Sequence, residues 1–203
     1  LVRMPDELDE PPQDIKIQNF NVSKTGTRSN LTDPGSIISI GQRFVDVRVE
    51  NYSQNDQISE HFFFGVVGGG TAGDVSTRNL YIGHGSHEQQ DSSAKTIKLD
   101  ANGTTLRAKD VVIENINFES GIKAIEIDRF GKDNSIPHNT KLIVRDCLFR
   151  APLASPAMSV DADISENDKI VFEGVSWQGS SGKAFDLSGR LSTVIVKNNC
   201  AYE

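Results

Sequence analysis

The chain has 203 residues, enough for one domain with a sizeable core, and its 21 Lys and Arg against 28 Asp and Glu leave a formal net charge of -7. That sign argues against a nucleic-acid backbone or an anionic membrane as the main partner, and no apolar run reaches about 18 residues, the length of a membrane-spanning helix. Two cysteines, Cys147 and Cys200, cannot build a disulfide scaffold or a four-ligand zinc site.

The first thirteen residues, LVRMPDELDEPPQ, are acidic and Pro-rich and are expected to form an extended N-terminal arm or linker over 1–13. A first residue that is Leu, not Met, is expected of a mature or excised chain. From residue 14 to residue 203 a single repeating domain is expected. One pattern recurs there, apolar-x-apolar-x-Asn or a substitute for Asn. It reads Ile15-Lys-Ile17-Gln-Asn19, Val47-Arg-Val49-Glu-Asn51, Leu80-Tyr-Ile82-Gly-His84 and Val111-Val-Ile113-Glu-Asn115. Three more copies follow: Leu142-Ile-Val144-Arg-Asp146, Ile170-Val-Phe172-Glu-Gly174 and Val194-Ile-Val196-Lys-Asn198. The copies start 32, 33, 31, 31, 28 and 24 residues apart, a period that signals a stacked repeat.

Each of the first six copies is followed by a second alternating segment: Ile38-Ser-Ile40, Phe62-Phe-Phe64, Ile97-Lys-Leu99, Ile125-Glu-Ile127, Met158-Ser-Val160 and Phe185-Asp-Leu187. Between them, in three successive repeats, lies a short third segment carrying Phe118, Phe149 or Trp177. Alternation with period 2 and the lack of any sustained helical period predict three short strands per repeat and no helices. The fold class expected is all-β, a parallel β-solenoid of about seven rungs, with like strands about 4.8 Å apart and inward side chains stacked in columns. Phe118, Phe149 and Trp177 are expected to stack in one of them. The Asn19, Asn51, Asn115 and Asn198 column, with His84, Asp146 and Gly174 as substitutes, is expected at a tight corner in the left-handed backbone conformation.

These rungs and their asparagine ladder resemble the right-handed, single-stranded parallel β-helix of the pectate-lyase superfamily, which includes phage tailspikes. The resemblance spans about residues 14 to 199. It implies that the Asn-ended segment is the second strand of a rung, that Phe118, Phe149 and Trp177 lie on the third, and that Ile125-Glu-Ile127 and its equivalents are the first. It also implies a homotrimer, contact with other virion proteins, and a place outside the cell or on a virion surface. The last repeat stops at Glu203 without a covering helix, so the chain is expected to continue in a longer protein or to have its end covered by a partner.

Two insertions interrupt the repeats. Gly68-Gly-Gly-Thr-Ala-Gly73 lacks the Lys-Ser/Thr and helix of a phosphate-binding loop and reads as a turn. Arg129-Phe-Gly-Lys-Asp-Asn-Ser-Ile-Pro-His138 is expected to be a long loop, and its cationic, aromatic and imidazole groups make it the candidate functional loop. Gly83-His84-Gly85 matches a short polygalacturonase motif without its companion Asp motifs, and reads as a corner. Ser86 and His87 are placed in a loop. Cys147 and Cys200 fall two rungs apart, about 10 Å, beyond disulfide reach, and are expected to be buried free thiols.

Outward positions also form columns. On the second strand, Gln18, Glu50, Gly83, Glu114, Arg145, Glu173 and Lys197 read as a solvated ion-pair ladder. On the first strand the outward residues are Lys98 and Asp100, Glu126 and Asp128, Ser159 and Asp161, Asp186 and Ser188. Asp100, Asp128 and Asp161 are expected directly above one another. Carboxylates on adjacent rungs lie about 5 Å apart, near the spacing of a retaining glycosidase pair. Crowding raises the pKa of one of them and keeps a proton available. The candidate catalytic residues are Asp128 and Glu126 as acid and base, with Asp100 or Asp161 assisting. Lys98, Arg129, Asp186 and His138 are the candidate substrate-binding residues. The plainer alternative is that Asp ends strands well and is merely solvated.

No cofactor is required, although clustered carboxylates are also the chemistry of a Ca²⁺ site. The superfamily commonly binds polysaccharide on this face. The reading is a module that binds, and in the enzymatic case hydrolyses, a bacterial surface polysaccharide, without contact with nucleic acid or insertion into a membrane. The alternatives are a non-catalytic adhesion spacer that trimerises, and a lyase or epimerase using Arg129 to neutralise a uronic acid.

Overall fold

The computed structural model describes residues 2–4, 13–22, 38–40, 45–56, 62–65, 78–89, 95–100, 109–119, 123–131, 141–150, 156–163, 169–178, 184–190, 193–198 and 200–202. They form β-strands, with no helix among them. In chain order these are β1 (Val2–Met4), β2 (Gln13–Val22), β3 (Ile38–Ile40), β4 (Val45–Asp56), β5 (Phe62–Gly65) and β6 (Arg78–Gln89). Next come β7 (Lys95–Asp100), β8 (Lys109–Glu119), β9 (Lys123–Gly131), β10 (Lys141–Arg145), β11 (Leu148–Arg150) and β12 (Met158–Asp163). The last are β13 (Lys169–Glu173), β14 (Ser176–Gln178), β15 (Phe185–Arg190), β16 (Val194–Lys197) and β17 (Ala201–Tyr202).

The strands sort into two wholly parallel sheets. The first holds seven in the order β1-β3-β5-β7-β9-β12-β15. The second runs β2-β4-β6-β8 and then forks, with β10-β13-β16 continuing from one half of β8 and β11-β14-β17 from the other. Each strand pairs with its equivalent about one repeat away, as Val47 does with Leu80, Leu80 with Val111, and Val111 with Leu142. The repeat found in the sequence is thus the repeat of hydrogen-bonded partners. Val2–Met4, within the segment expected to be an arm, pairs with β3 and opens the first sheet.

The fork lies at a recurring corner. In every repeat the residue after the Asn-ended segment's last alternating pair turns left-handed: Asn19 (φ 57°), Asn51 (56°), His84 (53°), Asn115 (52°), Asp146 (51°), Gly174 (60°) and Asn198 (56°). This conformation costs an ordinary L-residue roughly 1–2 kcal/mol and costs Gly, Asn and Asp least. In β2, β4, β6 and β8 the strand bends through that corner unbroken; later the same corner separates β10 from β11, β13 from β14 and β16 from β17. The second and third strands are therefore separate only in the later repeats. A second left-handed column, Asp14, Asp46, Asn79 and Asp110, marks the opposite end of the same strands. There Asn79 Nδ2 donates to Asp46 Oδ1 at 2.6 Å, and the Lys141 amide donates to Asp110 Oδ1 at 3.2 Å.

Inward columns fill the core. Ile97, Ile125 and Met158 are fully buried on one side, and Val111, Leu142 and Ile170 on the other. The expected aromatic column exists and is longer than expected. His87 stacks on Phe118 at 5.3 Å, Phe118 on Phe149 at 4.9 Å, and Phe149 on Trp177 at 5.8 Å between centroids. His87 is not in a loop: it lies in β6 in register with Phe118, buried, with its Nε2 2.8 Å from the Tyr52 hydroxyl. Beside it, Gly85 leaves room for that tyrosine, since a Cβ there would stand 2.2 Å from the Tyr52 ring. Both cysteines are free thiols; Cys147 is buried, its pKa pushed up to about 12 by burial, whereas Cys200 is only half-buried.

Candidate functional site: an acidic groove on the first sheet

The candidate residues come from β7, β9, β12 and β15, four neighbouring strands of the first sheet. Ile97 and Leu99, Ile125 and Ile127, Met158 and Val160 point inward and are buried. Alternation then forces Lys98, Glu126, Ser159 and Asp186 outward, and the register sets them in one row across the four strands. A cation, two acids and a hydroxyl thus stand side by side at strand spacing.

The second row departs from the expected straight column. Asp161 pairs with Ser188, but between β9 and β12 the register shifts: Val160 pairs with Ile127, whereas Ala162 pairs with Phe130. Two residues of β9, Asp128 and Arg129, therefore face the single Asp161. The cause is the spacing of buried residues. Val160 and Ala162 are two apart, while Ile127 and Phe130 are three apart, and all four are buried. Strict alternation would turn the Phe130 ring out; one bulged residue turns it in. Arg129 to Gly131, expected to begin a loop, are accordingly the end of β9. Asp100 is the last residue of β7, one beyond the Leu99–Ile127 pair, and is in register with Gly65 of β5. His138 lies outside the described residues, as does Gly68–Gly73.

Lys98, Glu126, Asp128, Ser159, Asp161, Asp186 and Ser188, with Ile127 and Val160 as its floor, line an open groove of about 260 Å³. Lys98, Glu126, Asp128 and Ser159 are half-buried; Asp161, Asp186 and Ser188 are exposed. Gly189 (φ 87°) keeps β15 close, because a Cβ there would meet the Ala162 carbonyl at 2.1 Å and Asp161 Oδ1 at 2.8 Å. Among the described residues no three His, Cys, Asp or Glu side chains gather into a metal site.

The second sheet's outer face is a network of ion pairs. Lys16 Nζ lies 3.3 Å and Arg48 Nη2 2.7 Å from the Glu50 carboxylate. The Arg48 guanidinium sits 3.7 Å from the Tyr81 ring centroid, and the Tyr81 hydroxyl donates to Glu114, which also pairs with Arg145. Lys197 pairs with Glu173 at 3.1 Å. Burial and the Glu114 hydrogen bond push the Tyr81 phenol up to about 12. Burial pushes the Glu114 carboxyl up, but the Tyr81 hydroxyl and the Arg145 guanidinium outweigh it and hold the group below its ordinary value. Gly83 makes the arrangement possible: a Cβ there would stand 2.5 Å from the Tyr81 hydroxyl.

No family model, curated protein or solved structure matches this chain. Its chemistry has to be read from the two faces. On the second sheet Glu50, Glu114 and Glu173 pair with Lys16 and Arg48, with Arg145 and with Lys197. On the first, carboxyl groups are concentrated in a concavity with Lys98 at its edge. The sequence pattern pointed to that face, but Ile127-Asp-Arg-Phe130, apolar residues at odd spacing, was the sign of a bulge that a simple alternation misses.

Proposed function

We propose that the chain is a right-handed parallel β-helix of about seven rungs, of the kind seen in the pectate-lyase superfamily, and that it engages a bacterial surface polysaccharide in the first-sheet groove. The observation that carries this reading is the row Lys98, Glu126, Ser159 and Asp186 with Asp128 and Asp161 beside it, in one open concavity across four strands. At about 260 Å³ the groove is smaller than the roughly 300–1,000 Å³ of an enclosing small-molecule pocket. An open trough across strands suits a long chain that passes over it, and hydroxyl and carboxylate acceptors suit the hydroxyls of sugars.

Within this reading Asp128 and Glu126 act as acid and base. Two residues along one parallel strand stand about 6.6 Å apart at the backbone, and a carboxyl separation of roughly 6.5–9.5 Å is what leaves room for an attacking water in an inverting glycosidase. Hydrolysis with inversion is therefore the reaction proposed. The deciding experiment compares the wild-type chain with Glu126→Gln/Asp128→Asn on a panel of capsular and O-antigen glycans, measuring reducing ends and unsaturated uronates. Inverted reducing ends that fall at least about 100-fold in the variant support the reading. Full activity in the variant discards the site; unsaturated products shift the reaction to elimination. Saturable binding without products leaves a receptor module.

A further inference from the structure

The second sheet carries one outer column that solvation does not explain. In the first two repeats its residues are Lys16 and Arg48, both exposed. After Tyr81 they become Val112, Ile143, Val171 and Ile195, in register from strand to strand and each only half-buried. The later strands accordingly read as unbroken apolar runs, such as Leu142-Ile143-Val144 and Ile170-Val171-Phe172. Such runs belong to parallel sheets covered on both faces. The fold does not demand them, since the matching outer positions of the first sheet are Lys98, Glu126, Ser159 and Asp186.

Two residues further along the same strands stand Glu114, Arg145, Glu173 and Lys197. Their charges run minus, plus, minus, plus, and turned end over end that series is its own complement. We propose that this face is the isologous interface of an antiparallel homodimer whose two-fold axis lies along the strand direction between β10 and β13. Such an axis keeps each column over itself and inverts the order of strands. Ile143 then meets Val171 of the second copy and Val112 meets Ile195, while Arg145 faces Glu173 and Glu114 faces Lys197. Copies standing side by side at equal height, as around a three-fold axis parallel to the stack, would instead set every charge against its own kind, which is costly. Tyr81 ends the stripe, with the Arg48 guanidinium 3.7 Å from its ring centroid.

Four strands of about five residues cover roughly 300 Å², less than the about 800 Å² per partner of a standard stable interface. The dimer is therefore weak and its population depends on concentration. It uses the other sheet from the acidic groove, so loss of dimer and loss of glycan engagement are separately measurable.

Sedimentation equilibrium of the full chain over a concentration series tests this, with the expectation of a monomer–dimer equilibrium. Arg145→Glu or Glu173→Arg alone should weaken the dimer at least about tenfold, and the two together should restore it, because each again faces its opposite. Geometry is read independently in a Cys200→Ser background, which also decides the matter if a charge variant fails to fold. Val112→Cys and Ile195→Cys chains, mixed, should be joined by a bifunctional thiol reagent spanning about 10 Å, the distance between packed sheets, while neither chain links to itself. Self-linking of Val112→Cys chains, a trimer, or a chain that stays monomeric at millimolar concentration overturns the proposal.

Discussion

Glu114 shows how one residue ties neighbouring repeats together. Its carboxylate accepts from Tyr81 on one side and Arg145 on the other, residues 33 and 31 positions away in sequence but one strand away in space. The folded chain holds this carboxyl below its ordinary value of 4.5. Its stabilising contribution is thus present above that pH and fades as the pH falls through the lowered value. Glu114→Gln is expected to lower the unfolding free energy by about 1–2 kcal/mol near neutral pH, and by progressively less in acid. Urea unfolding at a series of pH values would show the two curves converging at the acid end. At the alkaline end the sign reverses for Tyr81: its raised pKa of about 12 means stability present below its ordinary value of 10.0 and lost as the pH climbs through 12. The left-handed corners act at the same scale. Asn115 holds φ at 52° while its Nδ2 sits 2.8 Å from His84 Nδ1, so the ladder is both a backbone device and a side-chain contact.

Among the elements, the aromatic column joins four strands by ring-on-ring contact. His87, Phe118, Phe149 and Trp177 come from β6, β8, β11 and β14, and their rings lie within 12° of parallel to their neighbours. Phe149 stands in the middle, in contact above and below. Phe149→Ala is expected to cost about 3–5 kcal/mol through lost burial and the cavity left between rings. Trp177 is the single tryptophan, so its emission should shift in the same variant and report the broken stack directly. The bulge in β9 is the opposite case, a local irregularity in one strand. It exists because Phe130 must be inside, and it brings Asp128 and Arg129 together opposite Asp161.

Across the whole molecule, the described strand pairs join only neighbouring repeats. Stability in such a stack is close to a sum of repeat terms and nearest-neighbour interfaces. Deleting one full period, residues 111–141, should let Leu142 take the place of Val111 against Leu80. The shortened chain is expected to keep its β-sheet circular dichroism and a cooperative transition at lower temperature. Deleting residues 111–125, half a period, joins a second-sheet strand start to a first-sheet strand and is expected to abolish that transition.

The period, the parallel stacking, the inward columns and the Asn corners could all be read directly from the amino-acid order, because each depends on spacing that a stack repeats unchanged. The outward acids were legible for the same reason: inward Ile125 and Ile127 force Glu126 out. Three features were decided only in three dimensions. The β9 bulge is hinted at by the odd spacing of Ile127 and Phe130, but it takes shape only against the even spacing of Val160 and Ala162 on the neighbouring strand. The burial of His87 depends on Tyr52 and Phe118, 35 and 31 residues away. The reach of Tyr81 to Glu114 depends on the room that Gly83 leaves for the Tyr81 ring. Local order sets which way a side chain points; what it meets there is set by chain that arrives one repeat later.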